Sequence, residues 1–380
     1  MKTTITGALA LSLCVAAAGS LGAEERMLKF SSGFPESAAP PQAYAKVAEW
    51  LAANSEIKAE VFSMSLLSFG ETPAGIRDGI TDAGYVLTPY FPAEFSETNM
   101  AADMALLVSS GTDAPALVMA AAITEYVMLN CPECVAEYTA QNQVFLASGA
   151  STEYSLVCTK PVNTVADLKG LSVRSGASVF GRWIEHFGGT KVSIPGSEMY
   201  EALSQKVVDC TMVSMPDVMN FQLADVATDM TVNAPGGVFA GTASMNLNLD
   251  LWRGMTPEER KIMLEAGSRM TAGTSVIYHN SSIEAEPKVK AAGVNVVELS
   301  EELSKATQDF IVADLDTIRD QFTSLYGVEN AAAKIETVKG LVEKWKGLVA
   351  DIDPTSMDAY QALLMTEVYS KVDPEAYAMQ

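Results

Sequence analysis

The chain has 380 residues, 48% of them hydrophobic, and carries 47 acidic against 25 basic side chains, a formal net charge of −22. This balance leaves no basic footprint for nucleic acid and excludes that class of partner. It favours solubility and repels anions at long range, but salt screens the field over roughly 8–10 Å, so a recessed arginine still captures an anion.

Residues 1–23 read as a secretory signal: Lys2 is the charged start, 8–18 the apolar core and Leu21-Gly22-Ala23 a small-residue exit. The apolar run is too short to span a bilayer, and Cys14 sits mid-core behind Leu13, where lipid attachment would need a small residue. Cleavage is expected near Ala23. About 357 residues then remain, with 24 basic and 47 acidic side chains and a net charge of −23. That length suits two α/β domains.

The first expected strand is 28–31, ending in Ser32-Gly33-Phe34-Pro35, a loop suited to lining a cleft. An amphipathic helix follows at 42–53 with Val47, Trp50 and Leu51 inward. A second strand at 58–64, a short helix at 71–79 and a third strand at 83–87 complete a βαβαβ half, which ends at Thr88-Pro89-Tyr90-Phe91-Pro92. A helical region at 114–138 closes it, and strands at 144–147 and 154–159 cross into a second half.

That second half repeats the pattern. A strand at 171–173 delivers Arg174 to its C-terminal end; a helix, a strand, a second helix and a third strand at 208–213 follow. Parallel sheets of this kind hold ligands at the carboxyl ends of their strands. An arginine at that edge clamps a carboxylate through two parallel charge-assisted hydrogen bonds. Residues 232–246 carry the chain back. A long helix begins at Pro257, with Thr256 as N-cap and Glu258 and Glu259 in its first turn, and is expected to run to about Glu286, near Pro287. From Glu301 the chain is helical and charged, with an apolar face at 338–349 around Trp345, a break at Asp353-Pro354 and a last helix at 359–372.

Four cysteines follow the signal, Cys131, Cys134, Cys158 and Cys210, and an even number in an exported chain suggests disulfides. Cys131-Pro132-Glu133-Cys134 suits a redox pair or half of a zinc site, but zinc needs two further ligands and the chain has only His186 and His279. A structural disulfide is the preferred reading.

Catalytic constellations are missing. There is no Gly-x-Ser-x-Gly, no phosphate-cradling glycine loop and no His-Glu-x-x-His. Asp351, Asp353 and Asp358 lack the glycine and glutamate of a calcium loop. No metal or cofactor is expected.

Three pieces carry a family signature: Lys160-Pro161-Val162 followed by Asp167-Leu168-Lys169-Gly170-Leu171-Ser172-Val173-Arg174, then Ser197-Glu198-Met199-Tyr200-Glu201-Ala202-Leu203, then Val208-Asp209. In this order and spacing they resemble the DctP-type solute-binding proteins of TRAP transporters, most strongly over 160–259. The resemblance implies an α/β two-domain clamshell of the periplasmic-binding-protein kind, with a long helix bridging both domains and a C-terminal helical extension. Domain I would take 24–150 plus about 240–280, and domain II 151–239 plus about 281–325. Residues 326–380 would pack on the back. It places Cys158 and Cys210 on neighbouring strands, which leaves a second bridge open.

The resemblance further implies a periplasmic, non-enzymatic protein, monomer or weak dimer, that closes over an organic acid and delivers it to TRAP membrane permease subunits. Arg174 would pair with the ligand carboxylate. The best-known acidic-sugar members carry a second arginine about twenty positions earlier, where this chain has Tyr154. That departure favours a monocarboxylate with a hydroxyl, amino or aromatic part. Further contact candidates at strand ends are Phe34, Ser65 and Tyr90 in the first half, and Ser214 and Met215 in the second, with Phe239 near the return crossover. A sensing module for a signalling receptor, or an enzyme on a similar clamshell, are the alternatives.

Overall fold

The computed structural model describes residues 26–380, so the expected signal at 1–23 lies outside the described residues. The chain opens with β1 (Arg26–Ser32), α1 (Ala39–Asn54), β2 (Ile57–Ser63), α2 (Thr72–Arg77) and β3 (Ala83–Val86). β1 pairs in parallel with both β2 and β3, so the first half is wound as its alternation predicts. Val47 and Leu51 of α1 are buried, and Trp50 lies half-covered under the Arg269 guanidinium.

α3 (Ser96–Ala102), α4 (Pro115–Glu125), α5 (Pro132–Ala140) and β4 (Gln143–Gly149) follow. The helical region expected as one piece breaks sharply at Cys131, which caps α5 and bonds covalently to Cys134. α4 is buried along its whole length and apolar up to Thr124; no single helix among the described residues is long and apolar enough to cross a membrane.

The second half contains β5 (Tyr154–Cys158), α6 (Val165–Leu168), β6 (Ser172–Arg174), α7 (Ser178–His186), β7 (Thr190–Val192), α8 (Met199–Ser204), β8 (Cys210–Ser214), α9 (Met215–Asn220) and β9 (Asp229–Val232). The chain returns through β10 (Thr242–Asn248) and α10 (Leu249–Arg253), and continues with α11 (Pro257–Ala291), β11 (Asn295–Glu298), α12 (Glu301–Tyr326), α13 (Ala331–Ala350) and α14 (Met357–Glu367). One sheet runs β2-β1-β3-β10-β4 and the other β11-β9-β5-β8-β6-β7. This is the two-sheet α/β clamshell. α11 bridges it, packing on α1, α4 and β4 on one side and on α9 and β11 on the other.

Three differences from the sequence reading have local causes. α11 passes through Pro287 because Ala285 and Val289 pack into the second hydrophobic cluster, which holds its last turns helical despite the missing N–H. β11 was not expected; it is a short edge strand added beside β9. The last helix is shorter than 359–372: α14 ends at Glu367, and a single tight turn (Tyr369–Lys371) follows.

The signature stretch explains itself locally. Thr164 and Asp167 form a capping box around α6, and bonds from the Asn163 and Thr164 backbone hold the Asp167 carboxyl below its ordinary range. Gly170 takes the left-handed φ of 74° that turns the chain into β6. Asp209 accepts the Ser172 N–H at 2.9 Å and pairs with Lys160 at 3.4 Å, so the first and last pieces of the signature meet at the start of β6. Cys158 and Cys210 face each other across the β5–β8 ladder and are bonded. The long loop this closes, 52 residues apart in sequence, removes much more freedom from the unfolded chain than the local Cys131–Cys134 bridge.

Candidate functional site

Arg174 is the last residue of β6, and only 2% of it is exposed. Its Nε donates to the Ile194 carbonyl at 2.8 Å, Nη1 to the Met199 sulfur at 3.3 Å and Nη2 to the Tyr90 hydroxyl at 2.8 Å. All three partners are neutral, and among the described residues no carboxylate lies within ion-pair distance. A buried cation without a counter-ion is costly, so the site is electrically incomplete. The guanidinium has five N–H groups, and these bonds leave some of them free for an anion. Gly176 permits the close approach: a Cβ there would meet Nη2 at 3.0 Å and the Phe239 ring at 3.1 Å.

Tyr90 comes from the turn after β3, so its bond to Arg174 crosses from one sheet's side of the cleft to the other's. Its oxygen also accepts the Gly196 N–H at 2.9 Å. With both acceptor positions occupied, the Tyr90 proton is left to donate beside the guanidinium.

These groups line one cavity between the sheets. The rest of its wall is mostly aromatic. Phe34 meets Phe69, Tyr85 and Phe221 at 4.8, 5.3 and 6.2 Å between ring centroids. Tyr154 stacks between Phe180 at 4.6 Å and Phe239 at 5.7 Å. Burial pushes the Tyr154 phenol far above its ordinary range, with the Arg174 charge acting the other way. Such a wall accepts a flat apolar body, which the offset and edge-on ring packing favours.

A second ionisable group lines the cavity. Asp217, in the first turn of α9, is 4% exposed. Its Oδ2 accepts from the Ser214 hydroxyl at 2.7 Å and the Tyr278 hydroxyl at 3.2 Å, and its Oδ1 from the Asn220 amide at 3.0 Å. Burial pushes its carboxyl up, and these three bonds pull it back.

Comparison with known proteins places the chain in a family. The sequence profile of the DctP family, bacterial extracellular solute-binding protein, family 7, matches residues 36–320, three quarters of the chain. The chain belongs to this family. A solute-binding protein of Albidiferax ferrireducens is 25% identical over 150 residues, 40% of this chain and 44% of the relative, so the match spans less than half of that protein. Among solved structures, a marine metagenome TRAP solute-binding protein from an unidentified microbe, specific for aromatic acid ligands and complexed with 3-hydroxybenzoate, aligns with a TM-score of 0.70. It is 20% identical, and the alignment covers 85% of this chain and 99% of that one. A Bordetella pertussis extracytoplasmic solute receptor binding pyroglutamic acid aligns at 0.69 and 18% identity, covering 83% of this chain and 99% of its own. At these identities the likeness shows the fold.

Of the contact candidates read from the sequence, Arg174, Tyr154, Tyr90, Phe34 and Phe239 line this cavity together. Three do not. Ser65 is exposed at the end of the edge strand β2 and lines a separate depression with Met64, Leu66 and Ser197. Ser214 is fully buried and turns its hydroxyl to Asp217. Met215 packs into the second hydrophobic cluster. Asp217, Tyr278, Tyr85, Phe69, Phe221 and Met199 were missed. Met215-Pro216-Asp217 reads in sequence as an ordinary helix start, and only the fold brings Tyr278 to it. Cys131–Cys134 and Cys158–Cys210 are both bridged, as suits an oxidising compartment.

Proposed function

We propose that the protein is the periplasmic solute-binding subunit of a TRAP transporter, and that its ligand is a small monocarboxylate with an aromatic or apolar body. The observation that carries this reading is Arg174, buried in an aromatic-walled cavity with no anionic partner among the described residues. A ligand carboxylate supplies the missing counter-charge, and the ring wall takes the apolar part. The site has one such arginine, with Tyr154 rather than a second cation nearby, which favours one carboxylate over two. The aromatic acid and pyroglutamic acid ligands of two proteins of this fold support the same class.

The mechanism is domain closure. The acid docks on Arg174 of β6, and the first lobe swings over it, bringing Tyr90 onto the guanidinium. A ligand drives closure only through its higher affinity for the closed form, and a carboxylate held from both lobes has that difference. The closed form then engages the membrane permease. The chain is exported through its N-terminal signal and performs no chemistry on the acid.

Thermal melting against benzoates, phenylacetates, keto acids, C4-dicarboxylates, sugar acids and amino acids tests this. An acid at 100 times its dissociation constant adds roughly 2.7 kcal/mol, and aromatic monocarboxylates are expected to give the largest shifts. The reading fails if no acid shifts the transition and mass analysis of denatured protein finds no small acid released from it.

A further inference from the structure

The two polar groups of the cavity differ in hydrogen-bonding sense. Around Arg174 everything points donors inward: the guanidinium, and the Tyr90 hydroxyl, whose oxygen is already occupied by Arg174 and Gly196. Around Asp217 the sense reverses. Ser214, Asn220 and Tyr278 all donate to its carboxyl oxygens. A carboxylate has about four acceptor positions, so three donors leave one, on Oδ1. Because Tyr278 donates to Asp217, its oxygen keeps lone pairs. Tyr85 behaves alike: Thr242 gives its proton to the Gly149 carbonyl at 2.8 Å, so the 2.9 Å bond between Tyr85 and Thr242 has Tyr85 as donor. The Asp217 side is therefore a cluster of acceptors.

Asp217 is buried, and among the described residues no cation lies within ion-pair distance of it. Arg174 lines the same cavity, yet the two are not an ion pair; each holds its own separate set of partners. Capping α9 does not explain the carboxylate, since a bond from Tyr278, on the bridging helix 61 residues away, is not part of a local turn.

Resting on the assignment of Arg174 as the carboxylate site, we propose that Asp217 is a specificity-determining residue. It accepts an O–H or N–H that the ligand carries away from its carboxylate. The cavity then selects donor-bearing acids over equally sized acids that lack the donor.

Fluorine is close to a hydroxyl in size but has no proton to give, so calorimetric titration with 3- and 4-hydroxy-, amino- and fluorobenzoate, and the matching phenylacetates, isolates the donor. In the wild-type protein the hydroxy or amino acid is expected to bind about tenfold to a hundredfold tighter than its fluoro partner at one ring position, the range of a hydrogen bond to a charged group. In Asp217→Asn, which keeps the shape of the side chain, that ratio is expected to fall to about threefold or less while the fluoro acid binds nearly as before. Equal binding of hydroxy, amino and fluoro acids to the wild type at every position overturns the proposal, and this arm needs no variant to fold. So does an Asp217→Asn protein that weakens both partners equally, the mark of a purely structural role. If the fluoro acids bind and depend on Arg174, the carboxylate site stands whatever the fate of Asp217. If neither series binds at all, both assignments fall.

Discussion

Arg174 and Arg182 stand eight residues apart in the chain and are both nearly buried, yet their surroundings are opposite. Arg182, on α7, forms a bidentate pair with Asp314 of α12 at 2.7 and 2.8 Å and a 2.7 Å bond to Asp103 just after α3. It ties the second half to the first and to the long C-terminal helix, and its charge is matched within the protein. Arg174 meets a carbonyl, a thioether and a phenol. Neutral partners alone do not make a binding site: Arg260 also has no carboxylate partner among the described residues, but it bonds the Met255 and Pro374 carbonyls, lies over the Trp252 ring and does not line the cavity. What sets Arg174 apart is an unmatched charge facing the cavity. A buried cation that the fold has neutralised is structural, and one left unmatched beside a cavity awaits its anion.

Four experiments break or sharpen that contrast. Arg182→Ala strands two buried carboxylates and is expected to lower unfolding stability by about 3–5 kcal/mol, read by urea denaturation; a loss near zero would remove its structural role. Opening the β5–β8 staple with Cys158→Ser and Cys210→Ser should cost about 4 kcal/mol from the loop it closes. Acid affinity measured well below the melting temperature should survive that change, so stability and binding separate. Arg174→Ala should do the reverse, weakening acid binding by about 2–5 kcal/mol while the melting of ligand-free protein barely moves. Arg174→Lys should recover little of the loss, because an ammonium lacks the planar fork.

The smallest effect is a pH dependence at the structural arginine. Burial pushes the Asp103 carboxyl up, and the neighbouring Asp314 charge adds to this, against the lowering by Arg182. A carboxyl that holds its proton more tightly when folded contributes most stability below its unfolded value. That contribution declines as pH rises from there toward the raised folded value, by up to about 1.4 kcal/mol per unit. Asp103→Asn should remove this slope from the stability profile; an unchanged profile would contradict it.

How much of this was legible depends on sequence distance. The delivery of Arg174 was readable because it is local: a capping box at Thr164 and Asp167, a left-handed Gly170 and a three-residue strand lie within eleven residues. Strand-end loops yielded Phe34 and Tyr90 because β1 and β3 are inner strands of their sheet, and failed for Ser65 because β2 is its edge. Asp217 was hidden since its meaning comes from Tyr278, and Phe69 and Phe221 since an aromatic on a cavity wall and one in a core look alike until the sheets are paired. β11 escaped notice as a half-exposed strand with little alternation.

The most direct test of the central claim is calorimetric titration of the tightest-binding benzoate and its uncharged benzamide into wild-type protein and Arg174→Ala. The account predicts that removing the charge from the ligand or from the protein costs at least about thirtyfold in affinity. It also predicts that removing both costs little more than removing either. Benzamide binding as tightly as benzoate, or an Arg174→Ala protein with undiminished affinity for benzoate, would contradict it.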